Sequence, residues 1–242
     1  FNYQTTQNIF SVGDFVARAL HLQGPVQVIS TACSSSAKAF AAAYRHMAAG
    51  LCDAAVVGGV DSLCKMTLYG FNSLQLVSTM PCRPADAHRD GISIGEAAGF
   101  ALLEWQEPRC KVPCLLGYGE SSDAYHMSTP HPQGLGAAMA MGRALASSRL
   151  SESMIDYVNL HGTATPANDL SEDEGLLKTF SGNPVCSSTK GFTGHTLGAS
   201  GIVEALLSCS VLEQQYLPPS LNTRVLDENI QAKILLKGRK QQ

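Results

Sequence analysis

The chain has 242 residues, enough for one large domain or two closely packed ones with a sizeable core. Apolar residues make up 45% and charged residues only 15%, against a usual charged share of about 25%, so global disorder is excluded and the surface is sparsely charged. With 17 Lys and Arg against 20 Asp and Glu, the net charge of -3 lacks the basic footprint of a nucleic-acid binder or a polybasic membrane-surface protein.

No apolar run is long enough for a membrane span, and residues 1–10 lack the basic start and apolar stretch of a secretion signal. A cytoplasmic protein with no membrane association is the expectation. The eight cysteines (33, 52, 64, 82, 110, 114, 186 and 209) are scattered, unlike a secreted disulfide framework, and read as reduced thiols. Cys110 and Cys114 lie close together, but Pro113 sits between them and no further Cys or His pair is near, so no metal site is expected.

Apolar residues recur at three-and-four spacing from Ile9 to Leu20, predicting an amphipathic helix closed by Gly24 and Pro25. Residues 26–30 (VQVIS) read as a short strand, 31–36 (TACSSS) as a small-residue turn and 37–49 as an Ala-rich helix ending at Gly50. Residues 54–60 (AAVVGGV) are near-continuously apolar, as in a strand covered on both faces. Residues 79–95 predict loop, and 97–104 a further strand.

The stretch 105–113 (WQEPRCKVP) is the best boundary, dividing the chain into 1–108 and 109–242. Beyond it the pattern predicts a strand at 114–119, a helix at 136–150, a strand at 155–160 and a helix at 170–180 with acidic residues in its first turn. A strand at 184–188, a loop at 189–195 and a long apolar helix at 197–212 follow. Alternating strands and helices predict an α/β fold with a mostly parallel sheet.

Three strands end on residues able to do chemistry: Cys33, His161 and the Lys190–His195 loop. The carboxyl ends of strands are where sites assemble in such sheets. A thiol between a strand and a first helical turn meets unpaired N–H groups and the helix dipole, which favour the thiolate nucleophile. A small buried thiol is the plain alternative, and two strand-ending histidines tilt the balance, since neutral imidazole donates hydrogen bonds or takes protons near neutral pH.

The blocks 31–35 (TACSS), 161–169 (HGTATPAND) and 188–198 (STKGFTGHTLG) resemble the three signature segments of β-ketoacyl-[acyl carrier protein] synthases, the condensing enzymes of fatty-acid and polyketide synthesis. Residues 83–104 and 122–127 (SDAYHM) resemble the segments between those blocks. The resemblance implies a thiolase-like fold of layered αβαβα type, whose amino-terminal half carries the nucleophile and whose carboxyl-terminal half carries the histidines. It implies that Cys33 accepts the acyl chain and that His161 and His195 bind the malonyl thioester carbonyl and stabilise the enolate.

Lys190 and Glu204 are the implied supporting pair, with Asp169 a further supporting residue. Thr163 and Thr165 match positions that bind the carrier's phosphopantetheine arm, and Phe71 falls where the acyl pocket is lined. Taken alone, these are a surface lysine, two turn residues and a core aromatic. The implied partners are an acyl carrier protein bearing acyl and malonyl groups, and a second subunit in a homodimer or in a heterodimer with a related chain. No cofactor is implied.

Relative to that family the first βαβ portion and the closing glycine-rich gate segment are absent, and the latter supplies an oxyanion-hole donor. Loss of such a donor costs about a hundredfold to a thousandfold in rate. Weak condensation with leakage to ester or thioester hydrolysis through Cys33 is therefore a second expectation. Residues 91–95 (GISIG) also fit the G-x-S-x-G pattern, which makes Ser93 an alternative nucleophile, although a polar loop precedes it where a strand is needed. A non-catalytic partner subunit is the third reading, and the presence of Cys33 with both histidines argues against it.

Overall fold

The computed structural model describes residues 2–106 and 111–240, so Cys110 lies outside the described residues. Two compact units emerge, one of Phe1–Ser62, Glu96–Lys111 and Thr196–Leu206, the other of Leu63–Gly95, Val112–His195 and Leu207–Gln242. Among the described residues no helix is long and apolar enough to cross a membrane.

In the first unit, helix α1 (Ser11–Ala19) has the predicted amphipathic spacing, and α2 (Ser35–Ala48) begins two residues before the expected start. Strands β1 (Ala54–Asp61) and β2 (Ala97–Glu104) pair along their full length, antiparallel, with Gly58 opposite Phe100. Glycines let the layers touch. A Cβ on Gly59 would lie 2.6 Å from the Ser36 Cβ, and one on Gly201 would lie 2.4 Å from the Ala37 nitrogen. The Ser36 hydroxyl then accepts the Ile202 N–H at 3.0 Å, tying α2 to the helix that carries Ile202.

Residues 26–30 form no strand ladder, contrary to the sequence expectation. They line an apolar cavity of about 520 Å³ together with β1, α1 and α2, and Val26 and Val28 pack instead on Gly13 of α1. The apolar run of β1 is not covered on both faces: of its eight residues only Val57 is buried, and β1 pairs antiparallel with β2 across a long excursion.

That excursion opens the second unit with α3 (Lys65–Ser73), a helix the sequence reading left out. Residues 114–119, expected as a strand, also have no ladder. Gly117 and Gly119 press against α4 (Leu135–Ser148), where a Cβ on Gly119 would stand 1.9 Å from the Ala140 carbonyl oxygen. Strand β3 (Tyr157–Asn159) is followed by α5 (Pro166–Thr179), then β4 (Val185–Ser187) and the short α6 (Lys190–Thr193) within the expected loop.

Helix α5 starts four residues early because Pro166 takes its first position, where a missing N–H costs nothing. After α7 (Ser200–Gln214) come β5 (Tyr216–Leu217), β6 (Lys233–Ile234) and β7 (Arg239–Lys240). Strands β3, β4 and β6 form the parallel sheet, whereas β5 and β7 pair antiparallel, so the expectation of a mostly parallel fold holds for one of the three sheets among the described residues. The core under the parallel sheet gathers Leu160, Leu176, Phe180, Cys186 and Ile230, with Leu145 and Val158 packed on it. It fixes the carboxyl ends of β3 and β4, from which His161 and Lys190 project.

Candidate active site

In the first unit, Cys33 sits in the turn that leads into α2 and is half-buried. The preceding Ala32 has φ +53°, a left-handed conformation that turns the chain sharply. Hydroxyls hold the turn. Ser35 Oγ donates to the Ala32 carbonyl at 2.6 Å and accepts the Thr31 N–H at 2.9 Å, while Ser34 Oγ donates to the Thr31 carbonyl at 2.9 Å. The thiol is thereby presented at the amino end of a 14-residue helix, whose dipole favours negative charge there. Glu204 lies half-buried on α7.

In the second unit the two predicted histidines meet. The rings of His161 and His195 lie edge to face with centroids 5.2 Å apart. His195 is held by its backbone, which donates to the Ser93 carbonyl at 2.7 Å and accepts from the Gly95 N–H at 3.0 Å. Lys190, only 1% exposed, places its Nζ 3.5 Å from His161 Nδ1. An ammonium has donors only, so Nδ1 is the acceptor and the proton of the neutral ring sits on Nε2.

Burial, followed by the Lys190 charge, pushes His195 down to about 3. Burial, Lys190 and His195 together hold His161 well below its ordinary value. Both rings are therefore neutral at physiological pH and able to donate an N–H to a substrate oxygen.

The carboxylate beneath His161 is Glu172, which the sequence reading missed. Its Oε1 accepts the His161 N–H at 2.7 Å and its Oε2 the Gly162 N–H at 2.8 Å. Burial raises it to about 7 against the pull of those two bonds. The signal was available: Asp169, Glu172 and Asp173 recur at three-and-four spacing on α5, an acidic stripe on a helix with Leu170 and Leu176.

Asp169 is buried on the same helix and bonds the Ala85 and Ala164 N–H groups. Thr163 and Thr165 are buried, with their hydroxyls 2.9 Å apart. Phe71 lies half-buried on α3 among exposed neighbours such as Met66 and Tyr69. Ser93 Oγ accepts the Cys82 N–H at 3.0 Å and is placed by that bond in a loop rather than in a strand-to-helix elbow.

A thiol at a helix start and two neutral imidazoles beside a buried lysine are groups of the kind that thiol acyl transfer uses. Residues 4–108 match the Beta-ketoacyl synthase, N-terminal domain, and residues 113–224 the Beta-ketoacyl synthase, C-terminal domain, so the chain belongs to the β-ketoacyl synthase family. It is 35% identical over 240 residues to the chloroplastic 3-oxoacyl-[acyl-carrier-protein] synthase II of Arabidopsis thaliana, covering 93% of this chain and 44% of that one. It is 37% identical over 217 residues to 3-oxoacyl-[acyl-carrier-protein] synthase 2 of Vibrio harveyi, covering 83% of this chain and 52% of the relative. The chain thus spans about half the length of the curated relatives it matches.

Among solved structures, a ketosynthase from Xenorhabdus doucetiae in complex with its chain length factor matches with TM-score 0.90 and 44% identity, covering 95% of this chain and 58% of that one. The ishigamide ketosynthase/chain length factor matches with TM-score 0.91 and 27% identity over 96% and 59%. The fold is that of the thiolase-like ketosynthases.

Proposed function

We propose that this chain carries the chemistry of a 3-oxoacyl-[acyl carrier protein] synthase, a decarboxylative Claisen condensation. The Cys33 thiolate attacks the thioester of an acylated carrier, forming acyl-Cys33 and expelling the carrier thiol. A malonyl thioester then loses carbon dioxide, its carbonyl oxygen taking hydrogen bonds from His161 and His195 as the enolate forms. The enolate carbon attacks the acyl-Cys33 carbonyl, a carbon–carbon bond forms, and the Cys33 thiolate leaves. Oriented donors of this kind lower such barriers most where water is excluded.

The observation that carries the reading is the neutral His161–His195 pair with Lys190 3.5 Å from His161. Under this reading Lys190, with Glu204 in support, keeps the histidines placed and neutral, and Asp169 supports the site through the Ala85 and Ala164 turns. Thr163 and Thr165 receive the pantetheine arm, and Phe71 lines the acyl pocket. Residues 1–108 and 109–242 are the nucleophile and histidine halves, a division supported by where the two family matches part. Fatty-acid and polyketide synthesis both fit the relatives, which include synthases of each kind.

The partners proposed are an acyl carrier protein and a second synthase-like subunit, as the Xenorhabdus ketosynthase has in its chain length factor. A cytoplasmic location fits the free cysteines and the bacterial relatives. Hydrolysis finds no support in the relatives or in the surroundings of Ser93. The test is carbon dioxide release from malonyl carrier with and without an acyl donor. Release that depends on His161 and His195, with a β-ketoacyl product that depends on Cys33, is expected, and release unchanged without both histidines would refute the mechanism.

A further inference from the structure

One carboxylate in the second unit holds two left-handed alanines. Asp169 Oδ2 accepts the Ala85 N–H at 2.9 Å, and its Oδ1 accepts the Ala164 N–H at 3.2 Å. Each alanine has φ +63°, a conformation in which Cβ crowds the following carbonyl oxygen. Such turns persist only where their surroundings over-determine them. Ala164 is 0% exposed and joins Thr163 to Thr165, so the spacing of the two threonine hydroxyls depends on a turn whose central N–H has Asp169 as its acceptor.

A buried carboxylate needs a cation of its own, and Arg89 supplies it. Arg89 Nε lies 3.3 Å from Asp169 Oδ2, and the two side chains are 2% and 3% exposed. The guanidinium is pinned from its other end, where Nη1 donates to Asp227 Oδ2 at 2.6 Å and to the Asp86 carbonyl at 2.8 Å. Asp86 in turn accepts the Arg224 and Val225 N–H groups at 2.7 and 3.0 Å. The loop around Arg89 is thus tied both to the segment 224–227 and, through Asp169, to the threonine turn.

We propose that Arg89 is a positioning residue for the pantetheine arm: by holding Asp169 in place it fixes the left-handed Ala164 turn and with it the hydroxyls of Thr163 and Thr165. The inference rests on the reading above that those hydroxyls meet the arm. Arg89 acts on the turn through Asp169, so its loss is expected to weaken binding of the arm while leaving the chemical step alone.

The test uses the full chain with malonyl-pantetheine as substrate and carbon dioxide release as the readout. Arg89→Met is expected to raise KM about tenfold with kcat within about twofold of the parent, the pattern of lost uniform binding. Arg89→Lys keeps the charge but not the planar fork, and is expected to raise KM only about threefold. Thr163→Val is expected to raise KM about fivefold in the parent and to add little in the Arg89→Met background, because coupled residues are non-additive.

If Thr163→Val costs as much in Arg89→Met as in the parent, or if the Arg89 variants leave KM unchanged while Thr163→Val raises it, Arg89 does not position the turn and the pantetheine reading stands. If Thr163→Val leaves KM unchanged in the parent, the pantetheine reading fails and the role of Arg89 fails with it. Should Arg89→Met not fold, the same cycle is run with Arg89→Lys and decides by the same criteria.

Discussion

His161 and His195 face each other edge to face at 5.2 Å and 85°, brought there from the end of β3 and from the turn after α6. Neither ring carries a charge at neutral pH, because burial and Lys190 oppose the imidazolium in both. Under the proposed mechanism they work as donors, so each alanine variant should remove one hydrogen bond to the developing enolate oxygen. His161→Ala and His195→Ala are each expected to lower carbon dioxide release from malonyl-pantetheine by about a hundredfold to a thousandfold. His161→Asn and His195→Asn, which keep an N–H donor, should recover part of that loss. Equal rates for the Ala and Asn variants would show that donation is not what these rings contribute.

The same groups set how stability varies with pH. Unfolded imidazoles bind a proton at about 6.5. Between that value and the lower folded values of His161 and His195, the unfolded state binds more protons, so stability falls as pH falls. Glu172 works the other way. Burial raises it from 4.5 to about 7, so in that window the native state binds the extra proton and stability rises as pH falls. Below pH 6.5 two histidines act against one glutamate, leaving a net loss of stability as pH falls.

Below 4.5 the Glu172 contribution has ended and the slope should steepen. Asp86 adds to the loss, since despite burial the N–H groups of Arg224, Val225 and His88 keep it below 3.8, while Asp169, raised from 3.8 by burial, offsets some of it. Urea midpoints measured across this range should fall gently to pH 4.5 and steeply beyond. A midpoint that rises toward pH 4 would contradict the assignment.

The fold and the site were legible to different degrees. Cys33 and His161 each follow closely on a short apolar run, and Lys190 and His195 lie in the loop after another, which is what made them visible. Helices α1, α2, α4, α5 and α7 were visible in their spacing, though α5 begins at Pro166 inside what reads as loop. Residues 26–30 and 114–119 have strand composition without strand partners, and a ladder depends on a neighbour that composition does not reveal. Glu172 and Arg89 were invisible for another reason. An acidic residue on a helix and an arginine in a loop are ordinarily solvated, and only the folded chain shows Glu172 half-buried at the His161 turn and Arg89 buried beside Asp169.

Glu172 should be costly to lose. Its two oxygens accept the N–H groups of His161 and Gly162, and Gly162 has φ +40°, so the carboxylate shapes the backbone that aims the His161 ring. Glu172→Gln keeps one acceptor oxygen and leaves one buried N–H without a partner, which is expected to destabilise the protein by about 1–3 kcal/mol. Glu172→Ala orphans both and should cost more. Both variants should also lower kcat, because a misplaced donor no longer meets the enolate oxygen. Chemical denaturation with parallel rate measurements checks this, and a Glu172→Ala protein as stable and active as the parent would refute the role.

The turn into α2 makes Cys33 the expected site of acylation. The Ser34 and Ser35 hydroxyls and the left-handed Ala32 hold the turn, and the helix start offers N–H groups and a positive dipole end to a thiolate. Several other thiols are handicapped. Burial raises Cys82 to about 11 and Cys186 to about 12, and it raises Cys209 as well, so these three are protonated and poorly nucleophilic near neutral pH. Cys64 and Cys114 are exposed and serve as internal controls, since a non-selective thioester reaction would label them first. Incubation with a medium-chain acyl-pantetheine, followed by intact mass measurement and peptide mapping, should show one acyl group on the peptide that contains Cys33. Cys33→Ala should abolish that label, while Cys64→Ala and Cys114→Ala should leave it in place. Cys33→Ala should also keep some carbon dioxide release from malonyl-pantetheine, because the histidine pair and Lys190 belong to a different segment of the chain. Acylation of Cys64 or Cys114 at the rate of Cys33 would mean that the turn confers no selectivity, and the nucleophile would have to be sought elsewhere.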